Sequence, residues 1–247
     1  MTAPAHFHQT DPTGLQTLER FAAATHFNRW LFDTVRPYCK GHVLEVGSGI
    51  GNISKLFLEG DFRLTVSDLR PEYGNYLQEQ LGHHPQLAGV AVLDLAAADF
   101  TQVYSHLLQQ FDTVVALNVV EHIEDDKRAI TNCIQLLKAG GQLVILVPAF
   151  QALYNLFDEE LGHYRRYTAR TLRQLQEGAG LTIIHQQYFN AAGIAGWVID
   201  GGLLRKRLIP RKQLMVFDKL MPIIKFVDRI SFHSIGLSTI CVGRKTH

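Results

Sequence analysis

Apolar residues along this chain recur at two spacings, and the two alternate. Val43, Leu44 and Val46, then Phe62–Asp68, Leu87–Leu93, Phe111–Leu117 and Gln142–Val147, are short apolar or alternating runs that read as strands. Between them, Ile53, Leu56, Phe57 and Leu58, then Glu72–Leu81 and Lys127–Leu137, carry apolar residues at helical spacing. The run at 111–117 is continuous in apolar residues, as a central parallel strand buried on both faces should be. Strands alternating with helices predict an α/β fold with helices on both faces of the sheet. Lys138–Gly141 reads as a helix-terminating turn before the fifth strand.

The flanks follow a different rhythm. Residues 1–13 show no periodicity and are expected to be mobile, whereas Leu15–Tyr38 predicts one or two helices ended by Pro37. Beyond residue 150, a helix capped near Thr168 runs to about Glu177, and Leu181–Phe189 and Leu237–Val242 read as a sixth and a seventh strand. The connection between those two strands, about residues 190–236, is too long to lack structure and should contain helices. Within it, Leu214–Ile230 interleaves apolar residues with charges, and Pro222 either kinks this helix or begins a second one.

The chemistry starts at the first strand, which runs straight into Gly47-Ser48-Gly49-Ile50-Gly51-Asn52. Glycines between a strand and a helix let the backbone pass close to a bound nucleotide or nucleoside. Asn52 stands where a dinucleotide fingerprint wants its third glycine, and Glu45 lies two residues before the first. An acid there opposes a pyrophosphate and suits a ligand carrying an ammonium or sulfonium group. Asp68 closes the second strand 21 residues after Gly47, the spacing at which an acid accepts hydrogen bonds from a ribose diol; Leu69 adjoins it.

Glu45-Val-Gly-Ser-Gly-Ile-Gly51 resembles the first motif of the class I S-adenosylmethionine-dependent methyltransferases, and the resemblance extends firmly over about residues 40–190. It implies a Rossmann-like sheet of order 3-2-1-4-5-7-6. It also implies an N-terminal helical cap (1–40) over the cofactor cleft, lined by Phe27, Asn28, Arg29 and Trp30, on a catalytic domain spanning 41–247. Glu45, Gly47, Ser48, Gly49, Asn52, Asp68 and Leu69 are then cofactor-binding positions. By the same resemblance Asp94 accepts from the adenine amino group, Leu95 packs on the ring, Asn118 faces the methionine part, and His122 sits near the methyl group.

Gly162-His163-Tyr164-Arg165-Arg166-Tyr167 matches a Gly-His-x-Arg-Arg-Tyr element found in a subset of these enzymes and looks like a substrate-side signature. Two readings of it stand. Tyr164, Arg165, Arg166 and Tyr167 bind the substrate, an arginine holding a carboxylate or phosphate, or the arginines answer Asp158, Glu159 and Glu160 in a salt-bridged loop. A hydroxyl nucleophile needs a base, for which His122 is the first choice and His163 the second. In the ubiquinone-pathway O-methyltransferases, which this strand end also resembles, two acids and a histidine bind a divalent metal. Here Asn118 stands where one acid would help, so no metal is expected.

Composition narrows the setting. Hydrophobic content of 47% and charge of 19% are those of a globular domain, and three scattered cysteines suggest small core residues in a reducing compartment. No basic region followed by an apolar run opens the chain, and no apolar run suits a membrane span, so a cytoplasmic protein is expected. The net charge of +1 conceals ten Lys/Arg against Asp218 and Asp228 over residues 203–247. Such a basic region is either a solvated face or a contact with an anionic surface.

For the 190–236 insertion, a lid, a dimer interface and a basic amphipathic membrane contact through 203–230 compete. The lid is favoured, with membrane contact kept for a lipid-linked substrate. The resulting reading is O-methylation of a small or lipid-linked acceptor, with no nucleic-acid partner. An NAD-dependent oxidoreductase and a non-catalytic S-adenosylmethionine-binding module are the alternatives.

Overall fold

A computed structural model of the chain describes residues 12–246. Its strands are β1 (His42–Val46), β2 (Arg63–Asp68), β3 (Leu87–Val92), β4 (Phe111–Leu117), β5 (Leu137–Pro148), β6 (Leu181–Phe189) and β7 (Ser238–Lys245). They form one sheet in the order β3-β2-β1-β4-β5-β7-β6. Strand β7 is antiparallel to both its neighbours, and the remaining pairings are parallel.

Helices α1 (Pro12–Ala22) and α2 (Thr25–Val35) precede β1, while α3 (Ser54–Glu59) and α4 (Pro71–Leu81) follow β1 and β2. After β3 comes α5 (Phe100–Val103), after β4 α6 (Asp126–Leu136), and after β5 α7 (Leu156–Leu161) and α8 (Ala169–Gly178). The stretch between β6 and β7 holds α9 (Gly193–Trp197), α10 (Arg211–Lys219) and α11 (Met221–Ile230). The mobility expected of residues 1–13 falls, for 1–11, outside the described residues; Pro12 and Thr13 already belong to α1.

Alternate residues of the strands feed two cores. Val43, Val115 and Val144 pack with Phe32, Phe57 and Leu77 of α2, α3 and α4. Leu44, Val114 and Leu143 pack with Ile130, Cys133 and Leu172 of α6 and α8. Burial on both faces is why these strands read as uninterrupted apolar runs.

Two local features depart from the sequence reading, and a third extends it. Helix α6 stops at Leu136 and β5 begins at once: Leu137 pairs with Phe111, and the register slips before Thr113 meets Gln142. Lys138–Gly141 is therefore an irregular part of the strand, with Gly140 at φ +72° absorbing the extra length, and not a free turn. Helix α7 was not anticipated; Asn155 caps it by accepting from Phe157 N–H, while Asp158 accepts from Asn155 N–H.

The third feature concerns Phe27–Trp30, expected at the cleft, whose contacts are with neighbouring helices and β6. The Trp30 ring lies 4.1 Å from Phe189, Phe27 packs on Phe189 and Phe217, the Asn28 amide donates to Phe21 O, and Arg29 pairs with Glu59. Helix α2 needs its apolar face to cover the end of β6 and the flank of α10. At Pro222 the second alternative holds: the proline lies in the first turn of a separate helix, α11.

Candidate active site

Chain connections leave β1 and β4 in opposite directions, so a crevice opens at their carboxyl ends, the usual ligand position in such sheets. Gly47, Gly49 and Gly51 line its floor at φ +71°, +54° and +81°, in the left-handed region that favours glycine. A Cβ on Gly47 would come within 2.5 Å of Val119 Cγ2, so the segment leaving β4 presses on this turn. A Cβ on Gly49 would come within 2.9 Å of Leu18 Cδ1, and the Asn52 amide donates to Leu18 O at 3.0 Å. Helix α1, part of the N-terminal segment expected over the cleft, thus meets the turn through Leu18.

Glu45 is buried beneath the turn, where it accepts from Ser48 Oγ at 3.1 Å and from Ser54 Oγ. Burial pushes its carboxyl up to about 7, against the pull of the two hydroxyls. Asp68 accepts from Gly49 N–H at 3.0 Å and from Arg70 N–H at 3.1 Å, which joins the end of β2 to the glycine turn. Its burial raises the carboxyl pKa, and these hydrogen bonds oppose the rise.

Asp94 is half-buried and accepts from Ala96 N–H at 2.7 Å. Leu95 is packed in the core and Leu69 is about half exposed. Asn118 is exposed with φ +55°, a left-handed step that turns the chain from β4 into the single helical turn Val120–His122.

A compact group of side chains stands at this turn. His163 is buried, its Nδ1 2.8 Å from Asp158 Oδ1, and the same oxygen accepts from Arg166 Nε at 2.8 Å. Arg166 also donates to Ala149 O and lies over the Trp197 ring. Burial alone would raise the Asp158 carboxyl, but hydrogen bonds from His163 and Arg166 hold it below the ordinary carboxylate range. The exposed His122 ring meets His163 edge-on, centroids 4.6 Å apart.

Glu121 is fully buried with no hydrogen-bond partner on either carboxylate oxygen. Burial pushes its carboxyl up to about 8, with the Arg166 charge opposing. One ligand atom each from Glu121, His122 and His163 lies within 4.8 Å of the others. The absence of an acid at 118 argued against a metal; the structure brings in His163 from the loop after β5, and the trio fits a divalent ion, with Asp158 as the outer partner of His163.

In the Gly-His-x-Arg-Arg-Tyr element one arginine meets an acid named from the sequence and the other an acid outside that set. Arg166 faces Asp158, and Arg165 reaches Asp126 at 2.9 Å and Glu124 O at 2.7 Å. Tyr167 is buried and donates to Asp126, while Tyr164 is exposed and its N–H donates to Glu121 O. An open depression of about 630 Å³ lies at the other, amino edge of the sheet, lined by His42, Arg63, Asp112 and Lys138, far from these groups.

A sheet of this order, with a glycine turn at its switch point and acids at the ends of β2 and β3, defines a class I methyltransferase. The chain belongs to the methyltransferase-domain family, whose profile, described as "Methyltransferase domain", matches residues 17–186. The protein is an S-adenosylmethionine-dependent methyltransferase and not the NAD-dependent oxidoreductase that a glycine turn alone allows.

It is similar to the ubiquinone biosynthesis O-methyltransferase of Xanthomonas euvesicatoria pv. vesicatoria, 28% identical over 223 residues that cover 81% of this chain and 82% of that one. Its fold is similar to that of a SAM-dependent methyltransferase from Archaeoglobus fulgidus (TM-score 0.56, 18% identity, 88% and 94% coverage). It is also similar in fold to Haemonchus contortus phosphoethanolamine N-methyltransferase 2, solved with phosphomonomethylethanolamine and S-adenosylhomocysteine (TM-score 0.63, 15% identity, 96% and 59% coverage).

Proposed function

We propose that the protein transfers the methyl group of S-adenosylmethionine to a hydroxyl oxygen of a small or lipid-linked acceptor, with His122 as the base. The observation that carries this reading is the exposed His122 ring set against the Asp158-held His163, beside the glycine turn on which Val119 presses. The O-methyltransferase name of the Xanthomonas relative supports the choice of oxygen.

In this reading the glycine turn and Asp68 hold the adenosyl ribose, Asp94 the base amino group and Asn118 the methionine part. Helix α1 and the 190–236 insertion form a lid that excludes water. As the acceptor oxygen bonds to the methyl carbon, the carbon–sulfur bond breaks in line with it, and the hydroxyl proton passes to His122. His163 and Asp158 do not touch the acceptor; they fix the His122 ring from behind. Incubation with labelled S-adenosylmethionine, a panel of phenols and catechols and a cell extract identifies the acceptor. His122→Ala should then lower kcat by about 10²–10⁴ with cofactor affinity unchanged, and full turnover would remove His122 as the base.

A second reading rests on the two unpartnered Glu121 oxygens. Glu121, His122 and His163 would hold a divalent ion, which when bound lowers the pKa of an acceptor hydroxyl. Its binding has to displace the proton that burial keeps on Glu121. Calorimetric titration with Mn²⁺ or Zn²⁺ tests this: binding by the wild type should disappear in Glu121→Gln, and equal heats from both would sink it.

A further inference from the structure

Helices α10 and α11 have apolar residues on both sides. Leu214, Asp218, Met221, Ile224 and Asp228 recur at spacings of four, three, three and four and are all buried. Val216, Leu220, Ile223, Phe226 and Ile230 recur at the same spacings on the opposite side, each at least 46% exposed, and Phe232 just beyond is 88% exposed. A soluble helix normally turns such a stripe into its core. Here the inward side is already occupied, so the outer stripe answers to something outside the chain.

Charge says what. Residues 203–230 hold eight Lys/Arg and two Asp. Both acids face inward: Asp218 accepts from Phe27 N–H at 2.8 Å, and Asp228 accepts from Ala191 N–H and meets His233 Nδ1. Among the described residues, Arg211, Lys212, Lys219, Lys225 and Arg229 make no ion pair. The outer surface of the pair is therefore apolar and purely cationic. A second copy of this chain would set those cations against their own equivalents across a two-fold axis. An anionic bilayer accepts both halves of the pattern, the apolar stripe at the acyl boundary and the lysines and arginines among the headgroups. No described helix is long and apolar enough to cross a membrane, so the contact lies in the plane of the surface.

We infer that the outer face of α10 and α11 docks the protein on an anionic lipid bilayer. The insertion leaves the sheet at Phe189, which is in register with Ser238 and Pro148 at the carboxyl edge where the glycine turn lies. The inward side of α10 rests on α2 through Asp218, and Met221 and Ile224 of α11 join the core on the sheet face that α2 covers, so the docking stripe is the outer surface of that layer. The inference stands on this surface alone and does not require a lipid-linked acceptor.

Flotation of the full chain with vesicles tests it. The wild type should float with phosphatidylcholine vesicles that contain phosphatidylglycerol, should not float with phosphatidylcholine alone, and should be released by salt. Ile223→Ser/Phe226→Ser and, separately, Lys219→Glu/Arg229→Glu should each lower binding by about tenfold or more. Calorimetric affinity for S-adenosylmethionine should be the same in all three proteins, which keeps failure of docking distinct from failure of the cofactor site. No flotation of the wild type, undiminished flotation of both variants, or a lipid-free dimer that Ile223→Ser/Phe226→Ser splits would each overturn the inference.

Discussion

Glu45 shows how much one buried carboxyl decides. One of its oxygens, Oε2, accepts from both the Ser48 and Ser54 hydroxyls, and burial pushes the folded pKa up to about 7, above the unfolded carboxylate value. The native state therefore binds the proton more tightly than the unfolded chain. Its stabilising contribution is present below the unfolded pKa and is lost as pH rises through about 7. Urea unfolding of the wild type and Glu45→Gln between pH 5 and 8 should show the wild type losing about 2–3 kcal/mol relative to the variant. Parallel pH profiles would mean that Glu45 does not titrate in this window. The acid two residues before Gly47 was visible in the sequence. Its pairing with Ser54, nine residues on, was not, because only the left-handed glycine turn folds that serine back beneath the strand.

Among the elements, those set by local pattern were legible and those set by distant partners were not. Helix α8 starts where Thr168 accepts from Thr171 N–H, a cap written in adjacent residues, and the strands follow their apolar runs. Asp158, His163 and Arg166 were visible as reactive residue types, yet which of them pair depends on α7 lifting Asp158 to face the loop behind it. Leu18 looked like any core residue of an amphipathic helix, and only the packing of α1 reveals the glycine turn beneath it. Arg166 joins three elements by bonding Asp158 of α7, capping Ala149 O after β5, and stacking on Trp197 of α9. Its removal leaves the buried Asp158 carboxylate short of its cationic partner, so Arg166→Ala should cost about 3–5 kcal/mol in chemical denaturation. Arg166→Lys should recover only part of this, since an ammonium cannot both stack on the indole and bridge two acceptors. Near-wild-type stability of Arg166→Ala would show that the side chain carries no net load.

At the scale of the molecule, the N-terminal helices and the 190–236 insertion pack together as one layer, through Arg20 and Ile209, Phe27 and Phe217, and the Asp218 carboxylate. Helix α2 has no side-chain cap of its own, because Ala24 stands at that position. Asp218, on α10 and almost two hundred residues away in sequence, supplies the missing acceptor to Phe27 N–H at 2.8 Å and meets His26 Nδ1 at 2.8 Å. A carboxylate at a helix N-terminus is favoured by the helix dipole, and here it also joins α2 to α10. Asp218→Ala leaves the first turn of α2 with unsatisfied donors and should cost about 1–3 kcal/mol. Because the sheet does not depend on this contact, the loss should be local. Hydrogen exchange should accelerate in Thr25–Val35 and Arg211–Ile230 while β1, β4 and β5 keep their protection. If the layer shelters the cofactor, affinity for S-adenosylmethionine should weaken in the same variant. Uniform deprotection of the strands would instead show that these helices and the sheet fold as one cooperative unit, which would contradict a layer that opens by itself.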